Sequence, residues 1–255
     1  MSGNPVIGAH YLWRGLRLLG QPGLRLYVLI PLLFNLVIFG FLLGMSLAQF
    51  REWIDQLLAL LPAWLDFLRW LLWPIAVLLL LVVAAYLFNM VANLIAAPFN
   101  GLLAEKVEAR LTGTPAPDTG ALALLADTPR MIGKELRKLL YYLPRALLVL
   151  ILSLLPPLYP FAPFLWFGLG AWMMALQYCD YPMDNHHWSL DAVKRSLAGD
   201  RLTSLGFGAA VMAATLVPVL NFLVMPAAVC GATIYWVERL REGTPNQLHN
   251  GRLNR

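Results

Sequence analysis

Residues 71–88 read LLWPIAVLLLLVVAAYLF, eighteen positions without a charge. As a helix rising 1.5 Å per residue the run is about 27 Å long, close to the roughly 30 Å hydrocarbon thickness of a bilayer. A second run, Tyr27 to Ala48, is equally free of charge. Around these runs 60% of the 255 residues are hydrophobic and only 13% are charged, about half the charged share of a soluble domain. Bilayer is therefore the solvent, and because hydrocarbon offers backbone groups no partners, the spans must be helical. The first run begins well inside the chain without a small-residue cleavage site, so it reads as a retained span and not a signal peptide.

Working outward, the sequence predicts one membrane domain over 1–255. Residues 5–20 form an interfacial helix, with Val6, Ala9, Leu12, Trp13, Leu16 and Leu19 on one face and Arg14 and Arg17 opposite. Pro22 and Gly23 end it. Spanning helices follow at 27–50 and 71–97, and the first contains Gly40-Phe41-Leu42-Leu43-Gly44, a spacing that permits close helix contact but also occurs by chance. The connection between the spans is acidic, with Glu52, Asp55 and Asp66. Pro98 marks the exit of the second span into a cytoplasmic helical region, 98–139. Arg14, Arg17 and Arg25 precede the first span, and Lys106, Arg110, Arg130, Lys134, Arg137 and Lys138 follow the second. The positive-inside rule places these flanks, and both termini, in the cytoplasm.

The remaining apolar stretches, 140–176 and 205–237, are broken by Pro156-Pro157, Pro160 and Pro163 in one and by Pro218 and Pro226 in the other. Each limb spans about 15 to 20 Å as a helix, roughly half the hydrocarbon core. The joining turns carry no charge, whereas both outer ends do. The fold class is thus an all-α integral membrane protein with two long transmembrane helices plus two Pro-broken, re-entrant helix pairs; the alternative is two ordinary spans per pair with a tight turn. Residues 238–255 are a polar tail without apolar periodicity.

Catalysis finds little support. His10, His186, His187 and His249 form no triad or metal spacing, and Cys179 and Cys230 sit in apolar surroundings. The chain is read as not an enzyme, with no cofactor and no metal. The net charge of +5 is scattered beside membrane runs and forms no basic stripe for nucleic acid. The polar residues Asn89, Asn93 and Asn100 share a face if the second helix continues, either bonding a neighbouring helix or lining a hydrated path. Glu105 and Glu108, beside Lys106 and Arg110, extend that face or form a solvated ion-pair surface. At Gln21-Pro22-Gly23-Leu24-Arg25 a helix start exposes unpaired N–H groups, and Arg25 adds a planar donor fork suited to an oxyanion. Its other reading is a topology anchor.

Several segments together resemble the CysZ family of bacterial sulfate transport proteins: Pro31-Leu32-Leu33-Phe34-Asn35, Ala96-Ala97-Pro98-Phe99-Asn100-Gly101-Leu102-Leu103-Ala104-Glu105, Tyr141-Tyr142-Leu143-Pro144-Arg145, Gln177-Tyr178-Cys179-Asp180-Tyr181-Pro182, and Met225-Pro226-Ala227-Ala228-Val229-Cys230-Gly231-Ala232-Thr233. The resemblance implies sulfate entry across the bacterial cell inner membrane for sulfate assimilation and cysteine biosynthesis, hemi-penetrating helix pairs and a homo-oligomer. It further implies sulfate contact at Gly23, Leu24 and Arg25, where some members carry a second arginine and this chain has Leu26. Asn93, Asn100, Glu105 and Arg110 are the conduction-path candidates. Sulfate and the lipid bilayer are the implied partners, nucleic acid is not, and transport proceeds through a channel or a proton-coupled carrier. A reading from another class is a membrane scaffold or sulfate-sensing regulator of a separate permease.

Overall fold

The computed structural model describes residues 3–21, 23–25, isolated positions between 29 and 56, 67–114 and 121–241. Regular structure among the described residues is helical throughout. The helices are α1 (Pro5–Leu19), α2 (Phe67–Thr112), α3 (Ala121–Leu154), a 3-10 helix (Pro156–Phe161), α4 (Ala162–Asn185), α5 (Leu190–Gly199), α6 (Arg201–Thr215) and α7 (Pro218–Tyr235), which ends in a π turn (Trp236–Leu240). The chain divides into two compact units, Leu26–Phe99 and the remainder.

In the unit Leu26–Phe99, Leu29, Leu33, Val37, Phe41 and Met45 are helical and exposed. Their four-residue spacing puts them on one stripe. Along α2, Trp70, Ile75, Leu78, Leu79 and Val82 are exposed as well. Large side chains left uncovered on the very stretches read as spans suit hydrocarbon surroundings. Helix α2 crosses Pro98 without a break and runs on to Thr112. A proline deletes one intrahelical bond yet keeps a helical φ, so Pro98 does not terminate the helix.

The other unit is a helical bundle in which α6 and α7 form an antiparallel pair packed by α1 on one side and α4 on the other. Asn4 caps α1, its side chain accepting from the Val6 N–H at 2.9 Å, and Pro5 occupies the first turn. The buried face of α1 is Gly8, Tyr11, Gly15 and Leu19. A Cβ on Gly8 would run into the backbone of Thr203, Gly206 and Phe207 in α6, and one on Gly15 into that of Ala227 and Gly231 in α7. Small residues let the helix axes approach until backbones touch. Across the bundle Gly208 meets Ala171 and Ala175 of α4 in the same way. Val6 and Trp13, read as the apolar face of α1, stay exposed. At 100° per residue Arg17 falls within about 40° of Val6 and Trp13, its guanidinium 5.2 Å from the centre of the Trp13 ring, so the outward face is apolar and cationic together and lies opposite the glycine seam.

The two helix pairs differ in length from the sequence reading. Helix α3 has 34 residues and α4 has 24, joined by the Pro156–Phe161 turn, while α6 and α7 have 15 and 18. Pro218 opens α7, where a missing N–H costs nothing. Among the described residues, two helices, Pro156–Asn185 and Leu223–Leu240, are long and apolar enough to cross a membrane; 11% of the first one's apolar window is buried, against 72% for the second.

Candidate functional site

The predicted anion segment is a turn between α1 and the next helical residues. Gly23 has φ of +92° with open space around it, so its backbone conformation and not its room calls for glycine. Leu24 is buried at 3% exposure and pins the turn to the core. Arg25 is left exposed, and its guanidinium folds back so that Nε and Nη2 donate to the Gly20 carbonyl at 3.1 and 2.6 Å. A guanidinium has five N–H donors, so most of the fork has no partner among the described residues while the carbonyl fixes its orientation.

Of the path candidates, Asn93 belongs to the unit Leu26–Phe99 and its side chain lies outside the described ones, as does that of Asn89. Asn100 is buried at 6% exposure, on a seam with Leu103, Ala104 and Val107, and its Nδ2 has no hydrogen-bond partner among the described residues. Glu105 is half-buried and Arg110 exposed. Asn100, Glu105 and Arg110 step by five residues, roughly 140° each, so no single face of α2 carries all three.

The end of α2 is gripped by the end of α4. Asn185 Nδ2 donates to the Gly101 carbonyl at 3.0 Å, and His186 Nε2 lies 2.9 Å from Glu108 Oε1. Glu108, read as solvated, is mostly covered, with Arg241 a further 3.8 Å neighbour. Glu238 pairs with Arg14 through two bonds of 2.6 and 2.8 Å, which fastens the start of the polar tail to α1.

The sequence reading missed a buried ionic ladder at the base of the α3–α4 pair. Lys134 Nζ sits 2.6 Å from Asp180 Oδ1 and 2.7 Å from Asp184 Oδ1, Lys138 Nζ sits 2.8 Å from Asp180 Oδ2, and Arg130 reaches Asp184 at 2.7 Å. Glu135 adds a third carboxylate 2.7 Å from Lys138, and Gln177 bonds both. Both lysines and both aspartates are buried. Burial opposes the charge on Lys138, but Asp180 and Glu135 outweigh it and hold the ammonium pKa above the usual lysine value. The signal was the spacing: basic residues at 130, 134 and 138 share one helical face, as do acids at 180 and 184. By the positive-inside rule the basic residues serve only as a topology signal. Among the described residues no group of His, Cys, Asp and Glu is arranged to hold a metal ion.

The family described as sulfate transporter CysZ/etoposide-induced protein 2.4 matches residues 11–226. Over 235 residues, 92% of this chain, the sequence is 48% identical to a sulfate transporter CysZ of Pectobacterium atrosepticum, covering 86% of that protein. It is 47% identical to the sulfate transporter CysZ of Salmonella typhimurium, covering 93%, and 46% identical to that of Salmonella paratyphi A, again covering 93%.

Proposed function

The chain belongs to the sulfate transporter CysZ/etoposide-induced protein 2.4 family, and we propose on that premise that it carries sulfate across the bacterial inner membrane into the cytoplasm. The observation that carries the reading is near-full-length similarity to relatives named as sulfate transporters. It is not an enzyme but a membrane transporter, and its sulfate serves assimilation and cysteine biosynthesis.

Gly23, Leu24 and Arg25 form the entry site. What supports this is the left-handed turn at Gly23, the buried anchor at Leu24, and an exposed guanidinium steered by the Gly20 carbonyl. A sulfate dianion there meets the open N–H groups of the fork, a charge-assisted arrangement about twice as strong as a neutral one. Asn93, Asn100, Glu105 and Arg110 lie along the path, Asn100, whose Nδ2 has no partner among the described residues, being the best supported of them. The two helix pairs are re-entrant, a reading supported by their uncharged, exposed tips at Tyr159, Phe161 and Leu216. Both termini are cytoplasmic. The uncovered flank of α3 and α4 suits a homo-oligomer.

Sulfate uptake by purified protein in liposomes, with pH and voltage set independently, tests the function. An inside-negative potential of 100 mV opposes a dianion by about 4.6 kcal/mol, so a channel stalls under it where a proton-coupled carrier does not. Absence of uptake under every condition would leave the scaffold reading in place. Arg25→Ala should insert normally and bind sulfate roughly ten- to a hundredfold more weakly by calorimetry, with Arg25→Lys recovering part of the loss. Unchanged affinity would reduce Arg25 to a topology anchor.

A further inference from the structure

A cavity of 530 Å³ opens among α3, α4, α5 and α6, apart from the Gly23–Arg25 turn. That volume falls in the range of small-molecule sites. Four cations line it: Arg145 from α3, Lys194 and Arg195 from α5, and Arg201 from α6. Among the described lining residues the one carboxylate is Asp191, and it pairs with Lys194 at 2.6 Å. Arg195 and Arg201 make no side-chain hydrogen bond or ion pair with a described residue, although the charge of Arg195 reaches Asp191.

The floor is aromatic and fixed. Trp172 Nε1 donates to the Tyr141 hydroxyl at 3.1 Å, the Arg145 guanidinium lies 3.5 Å from the centre of the Tyr141 ring, and Lys194 Nζ lies 4.7 Å from it. Arg145 also donates to the Tyr141 carbonyl at 2.7 Å, so its plane is set before any ligand arrives. Like charges brought to one cavity repel unless an anion joins them.

The rim is apolar. Leu148, one turn beyond Arg145 on the same face of α3, is 56% exposed, and Leu202, next to Arg201, is 54% exposed. Tyrosine and tryptophan beside a cationic pocket, with bare leucines adjoining, is the composition of the headgroup level of a bilayer. A soluble ion has no use for the leucines, whereas acyl chains do.

We propose that this cavity binds the phosphate group of an anionic phospholipid, with Arg145, Arg195 and Arg201 as phosphate donors and the acyl chains on the flanking leucines. Sulfate and inorganic phosphate share the tetrahedral oxyanion chemistry, so the test separates the sources. Full-length protein in neutral detergent is titrated with phosphatidylglycerol, with phosphatidylcholine and with inorganic phosphate, and bound lipid is counted by native mass spectrometry. Phosphatidylglycerol should bind at least about tenfold more tightly than either other ligand, because the choline cation of phosphatidylcholine is repelled by the same cluster of cations and inorganic phosphate lacks the acyl chains. Arg195→Gln with Arg201→Gln should remove that preference, while Arg25→Ala should keep it. Both arginines are exposed, so the double variant retains the fold, and each single variant should lose a part. Equal binding of the two lipids, an unaffected double variant, or phosphate binding as tightly as phosphatidylglycerol would each overturn the proposal, the last by making the ligand a soluble oxyanion.

Discussion

The α3–α4 pair exposes Leu147, Leu148, Leu154, Phe161 and Phe164 along its limbs and tip, whereas the α6–α7 pair hides Phe207, Val211, Val229 and Ile234 almost completely. Both pairs are apolar, proline-broken and charged only outside the turn. They differ in what they pack against. The α6–α7 pair has α1 on one face and α4 on the other, brought to backbone contact through Gly8, Gly15, Gly206, Gly208 and Gly231. The α3–α4 pair is fixed at its base by charges, and its outer flank stays uncovered by the described residues. Hydropathy alone therefore does not say whether a membrane helix is core or surface. The presence of glycines that meet backbone does.

The sharpest way to break this comparison is to swap glycines. Gly15→Leu drives a side chain into α7 and should cost more than about 4 kcal/mol, seen as loss of the monodisperse detergent peak. Gly168→Leu, where a Cβ meets nothing within 4 Å, should stay within about 0.5 kcal/mol. Equal damage from both would erase the distinction between zipped and open pairs.

A somewhat smaller effect is expected at the base of the open pair. Asp180→Ala leaves Lys134 and Lys138 short of one buried partner, though Asp184 and Glu135 remain beside them. The cost should be about 3 kcal/mol, the low end for a buried pair with one member removed, read as a fall in Tm. A shift under 0.5 kcal/mol would mean the ladder adds no more than an exposed ion pair.

The smallest effect belongs to the tips. Cysteines placed singly at Tyr159 and Leu216, both more than 70% exposed, should change stability by less than about 0.5 kcal/mol. On the proposed re-entrant reading, which puts the tips in hydrocarbon, they should nevertheless resist charged thiol reagents added from the periplasm. The native Cys179 and Cys230 are fully buried and stay silent. Efficient labelling at both tips would turn them into ordinary water-facing turns.

Composition and run length by themselves determined that the chain is helical and lives in a membrane, because a continuous apolar run of that length has no other stable setting. The segments quoted for the resemblance likewise carry the family in the sequence alone. The turn at Gly23 was legible too, since a glycine directly after a proline at the end of an apolar helix invites the left-handed conformation that closes it. Tertiary structure alone decided which face of α1 is buried. Periodicity ranks faces by hydrophobicity, but here the driving contact is backbone approach through Gly8 and Gly15, which hydropathy scores as nothing. It also decided that Lys134 and Lys138 face Asp180 and Asp184 across more than forty residues of sequence. Each helix shows only half of an ion pair, and the Coulomb term that makes the other half necessary appears once packing has taken both out of water.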